Sequence, residues 1–223
     1  MVYRFAAAVA GAGLIAGAAL AAATPVTPPQ GATVTTSHPV FTWTLPSNEE
    51  SSGIFIANKP DRTPDGNFFG ENIVDASYFE NRTSWSPISP LYAGRYWRLV
   101  WSHDRDALQS YYSSPLDFTI PASVGMRGIK IHRSLSRHWL GVTVRWRANV
   151  HGLIVKTSLL RRGRIIWART KSESNPLDSP GYTTFIWHRP RRIKQGTPLT
   201  LRAGIVGPHG TGAAGLLFGV RAP

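Results

Sequence analysis

The sequence contains no cysteine among its 223 residues. Disulfide bonds, thiol catalysis and cysteine-ligated zinc are therefore excluded, and the fold must depend on its hydrophobic cores alone. Acidic residues are scarce in the second half, where residues 122–223 contain only Glu173 and Asp178. After residue 23 there is also no apolar run of the roughly 20 residues that a membrane-spanning helix needs.

Motifs of catalysis and metal binding are missing as well. The seven histidines are scattered, and none has the His-Glu-x-x-His spacing of a zinc site. There is no Gly-x-Ser-x-Gly nucleophile elbow and no phosphate-binding loop. Asp61, Asp65, Glu71 and Asp75 share one loop, but they lack the twelve-residue pattern of a calcium loop. The sequence predicts no catalytic residue, no metal, no cofactor and a protein that is not an enzyme.

The composition is that of a folded protein rich in turns, with 42% hydrophobic residues, 21 glycines and 17 prolines. The most regular segment is Leu91–Trp101, in which a turn with a glycine leads into alternating residues. Strand side chains alternate between two faces, so Trp97, Leu99 and Trp101 share one face and Arg98 points the other way. This pattern predicts the central strand of a β-sandwich with the tryptophans in its core.

The first 23 residues have the pattern of a signal peptide. Arg4 gives a positive start, and Phe5–Ala23 is an uncharged run that ends in small residues. Ala21-Ala22-Ala23 fits a cleavage site before Thr24, and Ala19-Leu20-Ala21 fits one slightly earlier. An uncleaved anchor is the alternative, but alanine and glycine favour the bilayer only weakly. We expect a protein that is secreted or held in the cell envelope, with no transmembrane span after cleavage.

The second half repeats the pattern of the first. The same order of motifs recurs at offsets of 102, 101 and 100 residues. The recurring pairs are Leu91–Trp101 with Ile193–Ala203, Phe41–Trp43 with Val142–Val144, and Leu116–Ile120 with Leu216–Val220. About 100 residues is the usual size of a seven-stranded sandwich. The sequence therefore predicts an all-β protein of two tandem antiparallel β-sandwiches, at residues 24–121 and 122–223, joined by a linker at Pro121–Gly128.

Leu91-x-x-Gly94-x-x-Trp97, followed by an alternating strand, resembles the Leu-x-x-Gly-x-x-Tyr signature of fibronectin type III domains. The resemblance covers Pro25–Pro121 and is weaker in the second half. Trp97 stands where the family has tyrosine, and the alternation predicts that Tyr96 faces away from the core. The resemblance implies an immunoglobulin-like fold and a non-enzymatic extracellular module, such as a spacer, an adhesion surface or an accessory to enzymes that act on polymers.

Charge is segregated between the two predicted domains. Residues 24–121 contain 6 basic and 10 acidic residues, whereas residues 122–223 contain 18 basic and 2 acidic ones, within an overall net charge of +13. Arginine also suits bidentate contact with phosphate or carboxylate groups. We therefore predict that the second domain contacts an anionic polymer or surface. The candidate binding residues are Arg145, Arg147, Arg161, Arg162, Arg164, Arg189, Arg191 and Arg192.

Other interpretations of this charge remain open. The basic residues could form a solvated face that keeps the protein soluble, or could dock onto the acidic first domain. An anionic envelope polymer or polysaccharide suits a secreted protein. Specific binding of nucleic acid is not expected, because no groove-reading motif is present.

Aromatic residues support an alternative function. A flat aromatic platform on the first domain could stack on sugar rings, which would make the protein a carbohydrate-binding accessory module. This alternative requires exposed rings. The candidates are Phe68, Phe69, Trp85, Tyr92, Tyr96, Tyr111 and Tyr112.

Overall fold

The computed structural model describes residues 23–47, 49–80, 82–105, 108–134, 138–174, 180–210 and 213–223. Within these ranges the regular structure is β-strand, together with the short 3-10 helices Gly70–Asn72 and Pro208–Gly210. No helix in this part of the chain has the length and hydropathy that crossing a membrane requires. The prediction of an all-β fold is confirmed.

The first sandwich is formed by the strands before residue 121. One sheet has the order β1-β3-β6, and the other has the order β2-β9-β7-β4-β5, with β8 also paired to β7. The pairs are antiparallel except for the parallel pair β2–β9. The strands are β1 (Thr24–Thr27), β2 (Ala32–Thr33), β3 (Phe41–Thr44), β4 (Glu49–Ala57), β5 (Ile73–Glu80), β6 (Ser84–Trp85), β7 (Gly94–Asp104), β8 (Gln109–Tyr112) and β9 (Leu116–Ile120).

The second sandwich has sheets of order β10-β11-β14 and β13-β12-β15-β16, all antiparallel. Its first strand begins at Val124, so the connection between the sandwiches is shorter than the predicted linker to Gly128. The recurring motifs lie in corresponding strands, β3 and β11, β7 and β15, and β9 and β16. The strands are β10 (Val124–Ser134), β11 (Trp139–Ala148), β12 (Leu153–Arg161), β13 (Arg164–Glu173), β14 (Gly181–His188), β15 (Pro198–Val206) and β16 (Ala213–Arg221).

Each sandwich has its own hydrophobic core. Phe41, Ile54 and Phe118 pack between the two sheets of the first sandwich, and Val142 and Leu201 are among the buried residues of the second. Burial of such side chains contributes about 1.5 to 3 kcal/mol each. Cores of this kind stabilise a chain that has no disulfide bond.

Strand β7 is buried on both faces, which corrects the prediction for its alternation. Leu99 and Trp101 pack outside the sandwich interior, in a cluster with Phe68 from the segment before β5. Tyr96 instead packs in the core between the sheets. Arg98 is fully buried, with 0% of its surface exposed, so its predicted outward orientation is wrong. Alternation alone could not show this, because the covering segment makes both faces of the strand interior.

Tyr96 forms a hydrogen bond from its side chain to the backbone, which the sequence did not predict. Its phenolic O–H donates to the carbonyl oxygen of Tyr92 at 2.9 Å. A tyrosine that bonds back to the backbone at the start of this strand is the tyrosine corner of immunoglobulin-like sandwiches. Burial raises the pKa of the Tyr96 phenol, so the group remains a donor at neutral pH. The corner is therefore made by Tyr96, whereas Trp97 occupies the opposite face.

Ala23, the last residue of the predicted leader, packs against the first sandwich. It is 1% exposed, and its amide N–H donates to Ser102 Oγ at 3.3 Å. The remainder of the predicted signal peptide, 1–22, lies outside the described residues.

Candidate functional site

Two basic turns lie at the same end of the second sandwich. β12 ends at Arg161 and β13 begins at Arg164, which pairs with it across a hairpin. Leu160 at the end of β12 is opposite Thr200 near the start of β15. The connection 189–197, which leads into β15, therefore lies beside that hairpin.

The turn between β10 and β11 completes this end of the sandwich. Trp139 is opposite His188, and the amide of Arg189 donates to the carbonyl of His138 at 2.8 Å. We call this end the basic pole. Its described basic residues are Arg133, Arg161, Arg162, Arg164, Arg189, Arg191, Arg192, Lys194 and Arg221. Glu173 lies at the opposite end of the sheet, opposite Leu153, and Asp178 is outside the described residues.

The end opposite the basic pole contacts the first sandwich. The amide of Ala93 donates to the carbonyl of Asn149 at 2.7 Å, and the ring of Tyr92 stacks on His151. Since Asn149 follows β11 directly, this joint lies where β11 ends. At about 3.3 Å per residue, the strands place the pole about 30 Å from the joint. The basic pole therefore points away from the first sandwich, and its arginines do not dock there.

The structure divides the eight predicted arginines into two groups. Arg161, Arg162, Arg164, Arg189, Arg191 and Arg192 lie at the basic pole. Arg145 and Arg147 are exposed on β11 toward the joint. Arg145 and Arg147 are six and eight residues along the strand from Trp139, which places them about 20 and about 26 Å from the pole end of β11.

Of the six predicted arginines at the basic pole, five are free to bind a partner. Their side chains are exposed, and none has a hydrogen bond or ion pair with a described residue. Arg189 is different, because its Nη1 donates to the Ile193 carbonyl at 2.5 Å and its Nη2 lies 3.1 Å from His138 Nδ1. Arg189 therefore holds the connection in place. The five free arginines are Arg161, Arg162, Arg164, Arg191 and Arg192.

Arg162 has an uncommon backbone conformation. Its φ is 49° and that of Gly163 is 76°, as a two-residue type I′ turn requires. Asparagine, aspartate and glycine are preferred at the first of these positions, and a longer side chain is disfavoured there. The turn therefore presents a charged side chain at its tip, at some expense in stability.

The outer face of the four-stranded sheet carries a broad concavity of about 1,100 Å³. Small residues such as Gly204 and Gly215 lie along it, and the exposed Leu217 lies at its edge. Its basic residues are Lys156, Arg169 and Arg202. This surface has fewer charges than the basic pole, and they are interspersed with apolar residues.

Acidic residues lie at the outer end of the first sandwich. β7 starts next to the joint and ends at Asp104, which is opposite Glu49. Burial raises the pKa of Glu49, and the negative charge of Asp104 adds to the effect, whereas a hydrogen bond from Ser102 opposes it. Glu50 forms an ion pair with Arg105 at 3.2 Å. Acidic residues therefore gather at the end of the first sandwich away from the joint, where Arg105 neutralises one of them.

Three of the seven aromatic candidates for an exposed platform are buried in the first sandwich. Phe68, Trp85 and Tyr96 are buried, with 2%, 9% and 8% of their surfaces exposed, so their predicted exposure is wrong. Tyr92 is engaged with His151. Phe69 is 38% exposed. Tyr111 and Tyr112 on β8 are half-buried.

Among the residues that the structure describes, no group of three or more histidine, aspartate or glutamate side chains could hold a metal ion. Asp61, Asp65, Glu71 and Asp75, of which the last lies in β5, are therefore not gathered into a metal site of that kind.

No protein-family model and no curated protein matches the chain. Solved structures with similarity include the chicken CNTN1 FN1–FN3 domains, at 11% identity and a TM-score of 0.33, covering 86% of this chain and 65% of that one. Another is the dimeric latent PorU from Porphyromonas gingivalis, at 13% identity and a TM-score of 0.33, covering 92% of this chain. The chain spans 21% of the PorU chain.

Proposed function

We propose that this protein is a non-catalytic binding or spacer protein, secreted or associated with the cell envelope, which contacts an anionic polymer through the basic pole. One observation carries the proposal: five exposed arginines without partners occupy two adjoining turns. No acidic residue accompanies them among the described residues of that end. Such a cluster of positive charge attracts a polyanion.

The chemistry of the pole suits phosphate, sulfate or carboxylate groups. A guanidinium binds these groups through two parallel hydrogen bonds. A basic residue close to an anionic surface contributes about 1 kcal/mol, so five together can support binding although each contact is weak. Because the acidic end is repelled by the same surface, we expect the molecule to stand on its basic pole. The two sandwiches would then form a spacer about 60 Å long.

The conformation of Arg162 also supports the proposal. An asparagine adopts a positive φ at lower cost than an arginine and would stabilise the hairpin. Strain that is kept at the tip of an exposed turn is a reason to look for a role of the side chain. At the tip of the β12–β13 hairpin, that side chain is placed for contact with a large partner.

Retention of the intact protein on immobilised heparin and polygalacturonate tests this function. We expect retention at physiological ionic strength, about 0.15 M, and elution only at higher salt, because several charges bind together. Neutral dextran serves as the control matrix and should retain nothing. Elution from both anionic matrices at or below physiological ionic strength would contradict the proposal.

We further propose that the first sandwich is a fibronectin type III-like module of a bacterial secreted protein, with the Tyr96 corner as the supporting contact. Export implies removal of the leader. Since Ala23 packs in the core, we expect cleavage after Ala21. The intact mass of the exported protein measures this directly. A mature chain that begins at Thr24 would show that Ala23 is dispensable and would contradict this choice of site.

A further inference from the structure

A cleft lies at the joint between the two sandwiches, apart from the basic pole. Its volume is about 420 Å³, which falls within the roughly 300 to 1,000 Å³ of small-molecule sites. The first sandwich supplies the hydroxyl groups of one wall, and the second supplies two arginines. The polar residues of its lining include Thr35, Thr36, Ser37, Ser123, Arg127 and Arg147.

A β-bulge directs Arg127 toward this cleft. Met126 is opposite Trp146 and Gly128 is opposite Arg145, so Arg127 has no partner across the strands. The φ of Gly128 is 153°, a value that side chains rarely adopt. Bulges re-aim side chains and are frequent beside functional sites. The position of Arg127 is therefore built into the strand.

Glycine keeps the cleft open beside the arginines. Gly125 lies opposite Arg147 on the neighbouring strand. A Cβ atom built at Gly125 would meet only the backbone oxygen of Arg147, at 3.9 Å. The space that a side chain would fill is thus left free beside the backbone of Arg147.

Asn149 fixes the wall of the cleft. Its Nδ2 donates to the carbonyl of Pro121 at 2.9 Å, and its Oδ1 accepts from the amide of Ser123 at 2.7 Å. Its own carbonyl accepts from Ala93 of the first sandwich. The wall formed by Ser123 and Asn149 is therefore held in place by hydrogen bonds before a ligand binds.

The geometry points to a binding site for one acidic sugar unit, and we infer that the cleft holds a small, hydroxyl-rich oxyanion. Arg127 and Arg147 provide the charge and the paired donors for a carboxylate or phosphate. The threonine and serine hydroxyls exchange hydrogen bonds with sugar hydroxyls, and the lining contains no acidic residue. This site is independent of the basic pole, because its arginines lie at the other end of the sandwich.

Titration calorimetry with glucuronate, glucose 6-phosphate and neutral glucose tests the site in the intact protein. We expect the two acidic sugars to bind with Kd of about 1 mM or tighter and glucose to bind at least tenfold more weakly. Binding of glucuronate alone assigns the site to carboxylated sugars, and binding of the phosphate alone assigns it to phosphorylated ones. No heat from either acidic sugar, or equal binding of glucose, would overturn the inference.

Three variants locate the binding. Arg127→Gln should weaken it about tenfold, as loss of a charge-assisted hydrogen bond does. Gly125→Val leaves the charge unchanged, suits a strand and fills the free space, so it should also weaken binding. Arg191→Gln removes the same charge from the pole and should leave sugar binding unchanged while weakening retention on heparin. Unaltered binding in both cleft variants, or an equal loss in Arg191→Gln, would overturn the assignment.

Discussion

Replacement of Arg161, Arg162, Arg191 and Arg192 by glutamine is expected to weaken binding to heparin about 1,000-fold. Each charge removed from the contact contributes about 1 kcal/mol, and a tenfold change corresponds to about 1.4 kcal/mol. All four side chains are exposed and have no partner among the described residues, so their loss should leave the free energy of unfolding nearly unchanged. Affinity measured at several salt concentrations should also show a shallower salt dependence than that of the unmodified protein.

A matched variant separates the basic pole from total charge. Lys130, Lys156, Arg169 and Arg202 are also exposed in the second sandwich but lie along its strands, outside the turns of the basic pole. Their replacement by glutamine removes the same four charges, and we expect a loss of affinity of tenfold or less. If the two variants lose affinity equally, the protein binds through its overall charge, and the pole is not a site.

Replacement of Arg98 by methionine is expected to stabilise the first sandwich by about 2 kcal/mol. Arg98 is fully buried, its Nη2 donates to the carbonyl of Pro28, and its Nε and Nη1 have no partner among the described residues. Desolvation lowers its pKa from 12.5 to about 10, which corresponds to a penalty of about 3 kcal/mol on the charged form. Loss of the Pro28 bond offsets about 1 kcal/mol of the gain. At neutral pH Arg98 is charged in the folded protein, so the full desolvation penalty opposes folding. The penalty decreases only when the pH rises through the folded-state pKa of about 10 and Arg98 loses its proton.

Urea unfolding followed by tryptophan fluorescence measures this change. The Arg98→Lys variant is the control, because it keeps a buried charge in a shorter side chain and should destabilise the sandwich. A decrease of 1 kcal/mol or more in Arg98→Met would mean that the guanidinium is a net stabilising group, contrary to the account.

The sequence predicted the strands because apolar alternation and turn residues are local signals. Phe41–Trp43 and the hairpin at Arg161–Arg164 appear in the structure as expected. The orientation of β7 was mispredicted because the burial of its second face depends on a distant segment that contains Phe68. No local pattern carries that information.

The sequence predicted which residues could bind an anionic partner, but not how they are grouped in space. An excess of arginine can be counted in a sequence, but strand register is needed to place the hairpin at Arg162 beside the connection at Arg191 and to separate both from Arg145. The cleft depends on a bulge at Arg127 and on contacts between the sandwiches through Asn149. Neither of these has a recognisable sequence signal here.

Arginine footprinting tests the central claim most directly. The intact protein is treated with phenylglyoxal with and without heparin, and the modified sites are identified by mass spectrometry. The account predicts that heparin protects Arg161, Arg162, Arg164, Arg191 and Arg192, while Arg95 of the first sandwich, paired with Asp117 at 2.8 Å, reacts equally in both samples. Protection spread evenly over both sandwiches, or absent from the basic pole, would contradict it.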